Sequence, residues 1–243
     1  MIVSLHGEIL INKEKKIAIM QPYFLPYIGY FQLINSVDLF VIADDLNYIK
    51  NGYINKNTIS IQNSKYQFTL NLKKASQNKL ISEIEVGDNR GKLLDTFKRS
   101  YKKAPYFKDV YPIIEQILNN EEKNLARFIY YSLIKICEYI GISTKFIYSS
   151  EIKKDNTLKF DDKIINICHL INSNHYINPI GGFDLYSKDK FSQSDIKLEF
   201  LKMSEIKYPQ FTENFLCCLS ILDVLMFNSI QELQILMLKC DLI

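Results

Sequence analysis

The sequence predicts an α/β domain with a mostly parallel central sheet, flanking helices, an added β-hairpin and a helical C-terminal segment. Three observations predict it. Short apolar runs at 17–20, 39–43, 145–148, 175–178 and 196–201 are separated by long intervening segments, several of them helical in pattern, the order that crossovers between parallel strands produce. Two β-rich runs, Thr58–Ile61 and Tyr66–Leu72, flank the polar stretch Gln62-Asn-Ser-Lys65, which signals a hairpin. From Phe215 to Leu238 the pattern is helical again, with a break near Asn228.

Each element follows from its local chemistry. Met1 to Lys16 reads as an extension with a loose strand at Glu8–Ile11, and 17–243 as one domain. Ile17 to Met20 is an apolar run suited to a buried strand, stopped at Gln21-Pro22. Pro22 and Pro26 lack an N–H and disfavour the α region in the residue before them, so Gln21 to Leu25 is expected to stay extended. Apolar Ile28, Phe31, Leu33 and Ile34 then support a short helix to Ser36, and Phe40–Ile42 a second strand. After the hairpin, Lys73–Lys79 is a polar connector and Ile81–Val86 alternates like an edge strand. Leu93–Tyr101 has helical spacing, and Val110–Leu118 makes a second helix with Pro112 near its start. Leu125, Phe128, Ile129, Leu133, Ile136 and Ile140 form one stripe on a helix over 121–140, with Glu121 and Glu122 at its positive end and Gly141 closing it. Asp161–Ile171 is a further helix, and Asp184–Ser187 a short helical pattern. Ser229-Ile-Gln-Glu232 is a capping box, and Ser220-Ile-Leu-Asp223 has the same form.

Composition narrows the function. Apolar residues make up 47% and charged residues 23% of the 243, a globular balance. The net charge is only +3, lysine outnumbers arginine 27 to 3, and no basic run interleaved with aromatics marks a phosphate track, so nucleic acid is not an expected partner. The five cysteines have neither metal-ligand nor disulfide-framework spacing; Cys217 and Cys218 are expected in a helix core, and a reducing compartment follows. No apolar run reaches the ~18 residues of a membrane span, and the first residues lack the charged and apolar regions of a signal peptide. The expectation is a cytoplasmic protein with no membrane insertion, its oligomeric state open.

The chemistry-bearing residues cluster after the first two strands. Ligands of open α/β sheets bind at the carboxyl ends of strands, and Asp44-Asp45-Leu-Asn47 follows the second. Neighbouring strand residues point to opposite faces, so Asp45, where the apolar run has ended, is the better-placed proton acceptor, with Lys50 nearby. The competing reading makes Asp44 and Asp45 turn residues bonded to their own backbone. Asn47, Asn51, Asn55 and Asn57, with Tyr48 and Tyr53, suit sugar hydroxyls and flat rings; a solvated loop in an asparagine-rich chain is the alternative. Gly181-Gly182, after a strand, could hold a diphosphate or form a tight turn, and Tyr186 could line the same pocket. No G-x-G-x-x-G or P-loop pattern is present. Scattered His6, His169 and His175 support neither a zinc site nor a triad.

Met20-Gln-Pro-Tyr-Phe-Leu-Pro-Tyr-Ile-Gly-Tyr-Phe-Gln-Leu-Ile-Asn35 and Asp44-Asp-Leu-Asn-Tyr-Ile-Lys-Asn-Gly-Tyr-Ile-Asn-Lys-Asn57 resemble the signature of the WbqC-like family. Tyr101–Phe107, Tyr176–Gly182 with Leu185-Tyr186, and Ser220–Ser229 are similar to later family segments, in the same order. The resemblance implies a bacterial protein of surface-polysaccharide (O-antigen-like) biosynthesis. It also strengthens Asn47, Lys50, Asn55 and Asn57 as functional. Many relatives carry histidine where this chain has Met20, so that position supplies no base here.

The resulting expectation is group transfer, of an amino-acid or glycine-type acyl group, to a nucleotide-linked or glycan sugar. Asp45 would be the base, and Lys50 with Gly181 and Gly182 would hold phosphate or carboxylate. Gln21, Tyr23, Tyr27, Asn47, Asn55 and Asn57 would orient the sugar, with Tyr186 beside them. No metal is expected, and the sequence names no cofactor. The rival is a non-catalytic module that binds a glycan precursor or docks biosynthetic enzymes.

Overall fold

A computed structural model describes residues 14–243; the expected strand at Glu8–Ile11 and His6 lie outside them. Six strands form the main sheet: β1 (Lys16–Met20), β2 (Leu39–Ile42), β7 (Lys145–Tyr148), β8 (His175–Pro179), β9 (Lys197–Met203) and β10 (Cys240–Leu242). Their spatial order is β10-β9-β8-β1-β2-β7, all parallel except β10, which runs antiparallel to β9. The order in which strands are added therefore reverses between β1 and β8, although the two run parallel. The two separate there: they pair only at Lys16 with His175 and Ile17 with Tyr176, while β8 and β9 pair over five residues. In doubly wound sheets this switch is where a crevice opens at the carboxyl edge.

The apolar runs are continuous because both faces of the sheet are covered. Ala18, Phe40, Ile42 and Ile177 face one core with α1 (Ile28–Asn35), α4 (Leu125–Ile140), α7 (Ile221–Phe227) and α8 (Ile230–Met237). Ile17, Ile19, Val41 and Tyr176 face the other, with Ile165 and Cys168 of α5 (Phe160–Leu170) and Phe191 of α6 (Lys188–Ser192). The hairpin is β3 (Lys56–Ile61) with β4 (Ser64–Thr69), and α2 (Arg90–Tyr101) and α3 (Phe107–Asn119) follow it.

Several boundaries differ from expectation, each for a local reason. The hairpin turn is two residues, Gln62 and Asn63, both at positive φ (50° and 60°), so β4 begins at Ser64. In place of an edge strand over 81–86 there is a 3-10 turn, Ile81–Glu83, and a two-residue strand β6 (Glu85–Val86) paired with β5 (Leu72–Lys73). Pro112 is the sixth residue of α3, inside the helix. α4 starts at Leu125 because Asn124 caps it by accepting from the Arg127 N–H (3.1 Å), leaving Glu121 and Glu122 outside. Gly141, at φ 89°, closes it as expected. The short helix placed at Asp184–Ser187 is a 3-10 turn at Ile180–Leu185, followed by α6. Residues 215–220 are not helical, and Cys217 and Cys218 are exposed rather than core. Ser229 and Glu232 do form a capping box; Ser220 caps α7 through the Leu222 N–H (3.2 Å), but Asp223 takes no part.

α1 reaches the sheet closely through Gly29. A methyl group there would lie 2.3 Å from Met203 Sδ and 2.4 Å from Tyr27 Cε2. Gly29→Ala is expected to destabilise the fold by about 1–3 kcal/mol through overpacking, read as a lower urea midpoint at unchanged m-value.

Candidate functional site

Beyond Met20 the chain makes a loop that distant segments hold in place. Leu25 departs from the expected extended form, with φ 46°. Its carbonyl accepts from Asn57 Nδ2 and from Ser220 Oγ, both at 2.7 Å. The Phe24 N–H donates to Ile54 O (2.9 Å), Ile221 N–H to Pro26 O (2.7 Å), and the Tyr30 hydroxyl to Gln21 O (2.8 Å). A non-glycine residue in the left-handed region persists only when its surroundings over-determine it.

The pinned loop presents Tyr23, Pro26 and Tyr27 to Tyr53, Asn57 and Cys218 around a depression of about 260 Å³. Tyr23 and Tyr53 have ring centroids 6.5 Å apart. Tyr27 and Cys218 also border a second depression of about 280 Å³ that reaches Met203, Glu205 and Tyr208. The cleft thus runs from the end of β1 to the end of β9, the strands on either side of β8. Burial pushes the phenols of Tyr23 and Tyr27 up, so both stay protonated at neutral pH and can donate. Among the described residues the hydroxyls of Tyr23, Tyr27 and Tyr53 have no protein hydrogen-bond partner, whereas Asn57 is spent on Leu25 O and on the Thr58 N–H (2.8 Å).

Behind the cleft, the Tyr208 hydroxyl donates to Asp223 Oδ1 (2.9 Å) and the Tyr101 hydroxyl to Oδ2 (2.7 Å). Gln210 Nε2 also reaches Oδ1, at 3.3 Å. Asp223 is fully buried, and that burial pushes its carboxyl up despite these donors. Asn228, at the expected break, donates to Val224 O (2.7 Å) at the end of α7.

The other expected site residues are spread over separate places. Asp44 accepts from the Ser150 N–H (3.0 Å) and Oγ (2.7 Å), and Asp45 lies 2.6 Å from Lys154 Nζ. Both carboxylates thus hold the segment after β7, not the turn in which they sit. Burial alone would raise Asp45, but bonds from Lys154 and Ser149 and the Lys154 charge outweigh it and hold the carboxyl below its usual range. Asp45 and Lys50 form no ion pair. Lys50, exposed, lines a depression of about 420 Å³ with Tyr48 and Asn55. Asn55 is tied down, accepting from the Tyr48 hydroxyl (2.9 Å) and donating to Leu70 O (2.8 Å). Asn47 is exposed and half-buried Gln21 enters the network through its backbone carbonyl. Gly181 and Gly182 fall inside the 3-10 turn, where a methyl on Gly182 would lie 2.0 Å from Asn178 Nδ2 and one on Gly181 would meet open space. Tyr186 packs edge-on against Tyr176, with centroids 6.0 Å apart.

His175 lies at the opposite, amino edge of the sheet from Gly181. Its ring nitrogens are 2.9 Å from Glu14 and 2.6 Å from Glu199. His169 contacts Ser194 O at the surface (3.0 Å). Among the described residues no group of three or more His, Cys, Asp or Glu is placed to hold a metal ion, and no helix is long and apolar enough to cross a membrane.

Sequence reasoning had no route to Cys218 or Tyr208, which reach the cleft from nearly 200 residues downstream of Tyr23. The one available signal was the match of Ser220–Ser229 to the same family as the Pro22–Pro26 loop.

The WbqC-like protein family profile matches residues 21–235. An uncharacterized protein of Mycobacterium tuberculosis, Rv1507c, is 27% identical over 221 residues, covering 88% of this chain and 94% of that protein. No solved structure matches.

Because the folded pKa of Asp45 is lowered, its contribution to stability is complete above the ordinary carboxylate value, about 3.9, and is lost as pH falls through the lower folded value. Asp45→Asn should therefore lower the melting temperature at pH 7. The gap to wild type should close below about pH 4, as read by scanning calorimetry across pH.

Proposed function

The chain belongs to the WbqC-like protein family, a family associated with O-antigen-type biosynthesis, and from that premise we propose that it transfers a group to a sugar held in the tyrosine-walled cleft. The observation that carries this reading is the cleft itself. Three phenol hydroxyls without protein partners converge on it at the carboxyl edge of a parallel sheet, beside the switch in strand order. Flat aromatic faces with free donors are what a sugar ring requires, apolar C–H faces against rings and hydroxyls against hydrogen-bonding groups.

In this reading Tyr23, Tyr27 and Tyr53 hold the sugar, and Asn57 fixes the loop that carries two of them. The sugar's amine or hydroxyl attacks the acyl carbon of an activated donor. Its proton passes to a base, and the leaving group departs with the bonding pair. Glu205 lines the second half of the cleft and is exposed there, so it takes the role of base in this reading; Asp45 is held elsewhere by Lys154. The bond from Lys207 (2.7 Å) keeps Glu205 ionised and at the same time weakens it as a base. Lys50, with its own depression, offers an ammonium to the carboxylate of an amino-acid-type donor.

One observation favours a second reading, a binding module for a glycan precursor. Among the described residues no carboxylate lines the half of the cleft between Tyr23 and Tyr53.

Nucleotide sugars are expected to raise the melting temperature more than the matching free nucleotides do, by mass action on the folded state. Tyr53 is 62% exposed, so Tyr53→Ala should leave the fold intact. That substitution should remove the excess, weakening the sugar-dependent part of affinity about tenfold. A sugar that gains mass when an activated acyl donor is added supports transfer. Equal shifts for nucleotide and nucleotide sugar would sink the sugar assignment, and binding without mass gain would select the module.

A further inference from the structure

A groove of about 490 Å³ lies between the hairpin turn and α2, apart from the tyrosine cleft. Its wall on α2 is one helix face: Lys92, Thr96, Arg99 and Ser100 stand at i, i+4, i+7 and i+8. Facing it are Tyr66 of β4 and Phe211, whose rings are 48% and 44% exposed. Gln62 and Asn63, the two positive-φ turn residues, also line it.

The charge balance is one-sided. No carboxylate lines the groove among the described residues. Neither Lys92 nor Arg99 is in an ion pair there. Arg99 donates from Nε to the Asp95 carbonyl (3.3 Å), which orients the guanidinium and leaves both terminal nitrogens free of protein bonds among the described residues. Arginine is scarce in this chain, three against 27 lysines. The planar fork of a guanidinium matches phosphate oxygens in pairs. Phe211 is itself held edge-on against Phe227, with centroids 4.8 Å apart, so its exposed face is fixed.

We propose that this groove is a nucleoside-diphosphate site, with Lys92 and Arg99 on the phosphates, Tyr66 and Phe211 against the base, and Gln62 and Asn63 at polar edges. Two cations offset most of the charge of one diphosphate. They fall short of the row of phosphate contacts that holds a nucleic-acid strand, and the volume is that of a small-molecule site. The site does not depend on a sugar occupying the tyrosine cleft. Both depressions share one segment: Phe211 faces the groove, while Tyr208, Phe215, Cys217 and Cys218 face the cleft.

The test is calorimetric titration of the full chain with UDP, uridine, inorganic pyrophosphate and a single-stranded oligonucleotide. UDP should bind saturably and weaken with added salt. Lys92→Ala with Arg99→Ala should cost about tenfold or more in UDP affinity. Tyr66→Ala and Phe211→Ala should each weaken UDP about tenfold while leaving pyrophosphate unchanged. Melting curves of each variant establish that it folds. The proposal is overturned if UDP does not saturate, if the double variant binds UDP as wild type does, or if an oligonucleotide displaces UDP at far lower concentration. It is equally overturned if Tyr23→Ala, in the cleft, abolishes UDP binding and the groove variants do not. If free UDP binds in the groove but the sugar adds nothing, the groove assignment stands and only the sugar reading fails.

Discussion

The carbonyl of Leu25 is the point on which the site depends. Two buried side chains, Asn57 and Ser220, donate to it from 32 and 195 residues away. They hold a left-handed leucine that an isolated chain would not adopt, and so fix the positions of Tyr23 and Tyr27 on either side of it. The same contacts join three regions: the loop after β1, the start of the hairpin and the start of α7. Ser220 also donates its N–H to Thr58 O (2.8 Å), so hairpin and helix meet directly. A cleft built from three distant segments closes only when the fold is complete, and most of its wall lies outside the main sheet.

Charge is arranged differently from geometry. The two carboxylates after β2 are used to hold the segment after β7, Asp44 through Ser150 and Asp45 through Lys154. Lys154 is almost entirely buried at its side chain, so removing Asp45 would strand a buried cation. A pair of this kind keeps two strand ends in register at the carboxyl edge; it leaves no free base. The electropositive groove on α2 is the counterpart, with cations that neighbouring acids do not neutralise.

The sheet was legible in the sequence because its central parallel strands are buried on both faces, which forces an unbroken apolar run such as Ile17–Met20 or Leu39–Ala43. Helix stripes were legible for the same reason. Boundaries failed where side chains bond backbone groups that a helix would have used. Glu121 and Glu122 have the propensity to begin a helix. Yet Glu122 turns its carboxylate back to the N–H groups of Lys123 and Asn124 (both 2.8 Å), and Asn124 donates to Ser82 O (2.6 Å). Residues 215–220 look helical from their apolar spacing, but Gln210 takes both backbone groups of Leu216, donating to its carbonyl (3.0 Å) and accepting from its N–H (2.8 Å). A single amide thereby replaces helical bonds. In the site, the loop after β1 was visible from its prolines, and Asn57 from the family motif. Their pairing with Tyr53 and Cys218 was not, since nothing local in the sequence marks which exposed rings will converge.

Asp223 explains how the irregular segment 204–219 keeps its place. It has no regular secondary structure, so few backbone bonds hold it, and such segments open at low free energy. Its anchors are Tyr208 and Gln210 on Asp223, with the Ser204 N–H on Lys239 O (3.1 Å). A group whose folded pKa is raised contributes stability at low pH and loses it as pH rises through that value. The charged form of the buried Asp223 therefore costs stability, and the three donors around it partly offset that cost. A carboxylate kept under those terms serves position more than stability. Moving it would shift Tyr208 in the cleft wall and the segment that carries Phe211 in the groove, so the two depressions share one electrostatic anchor.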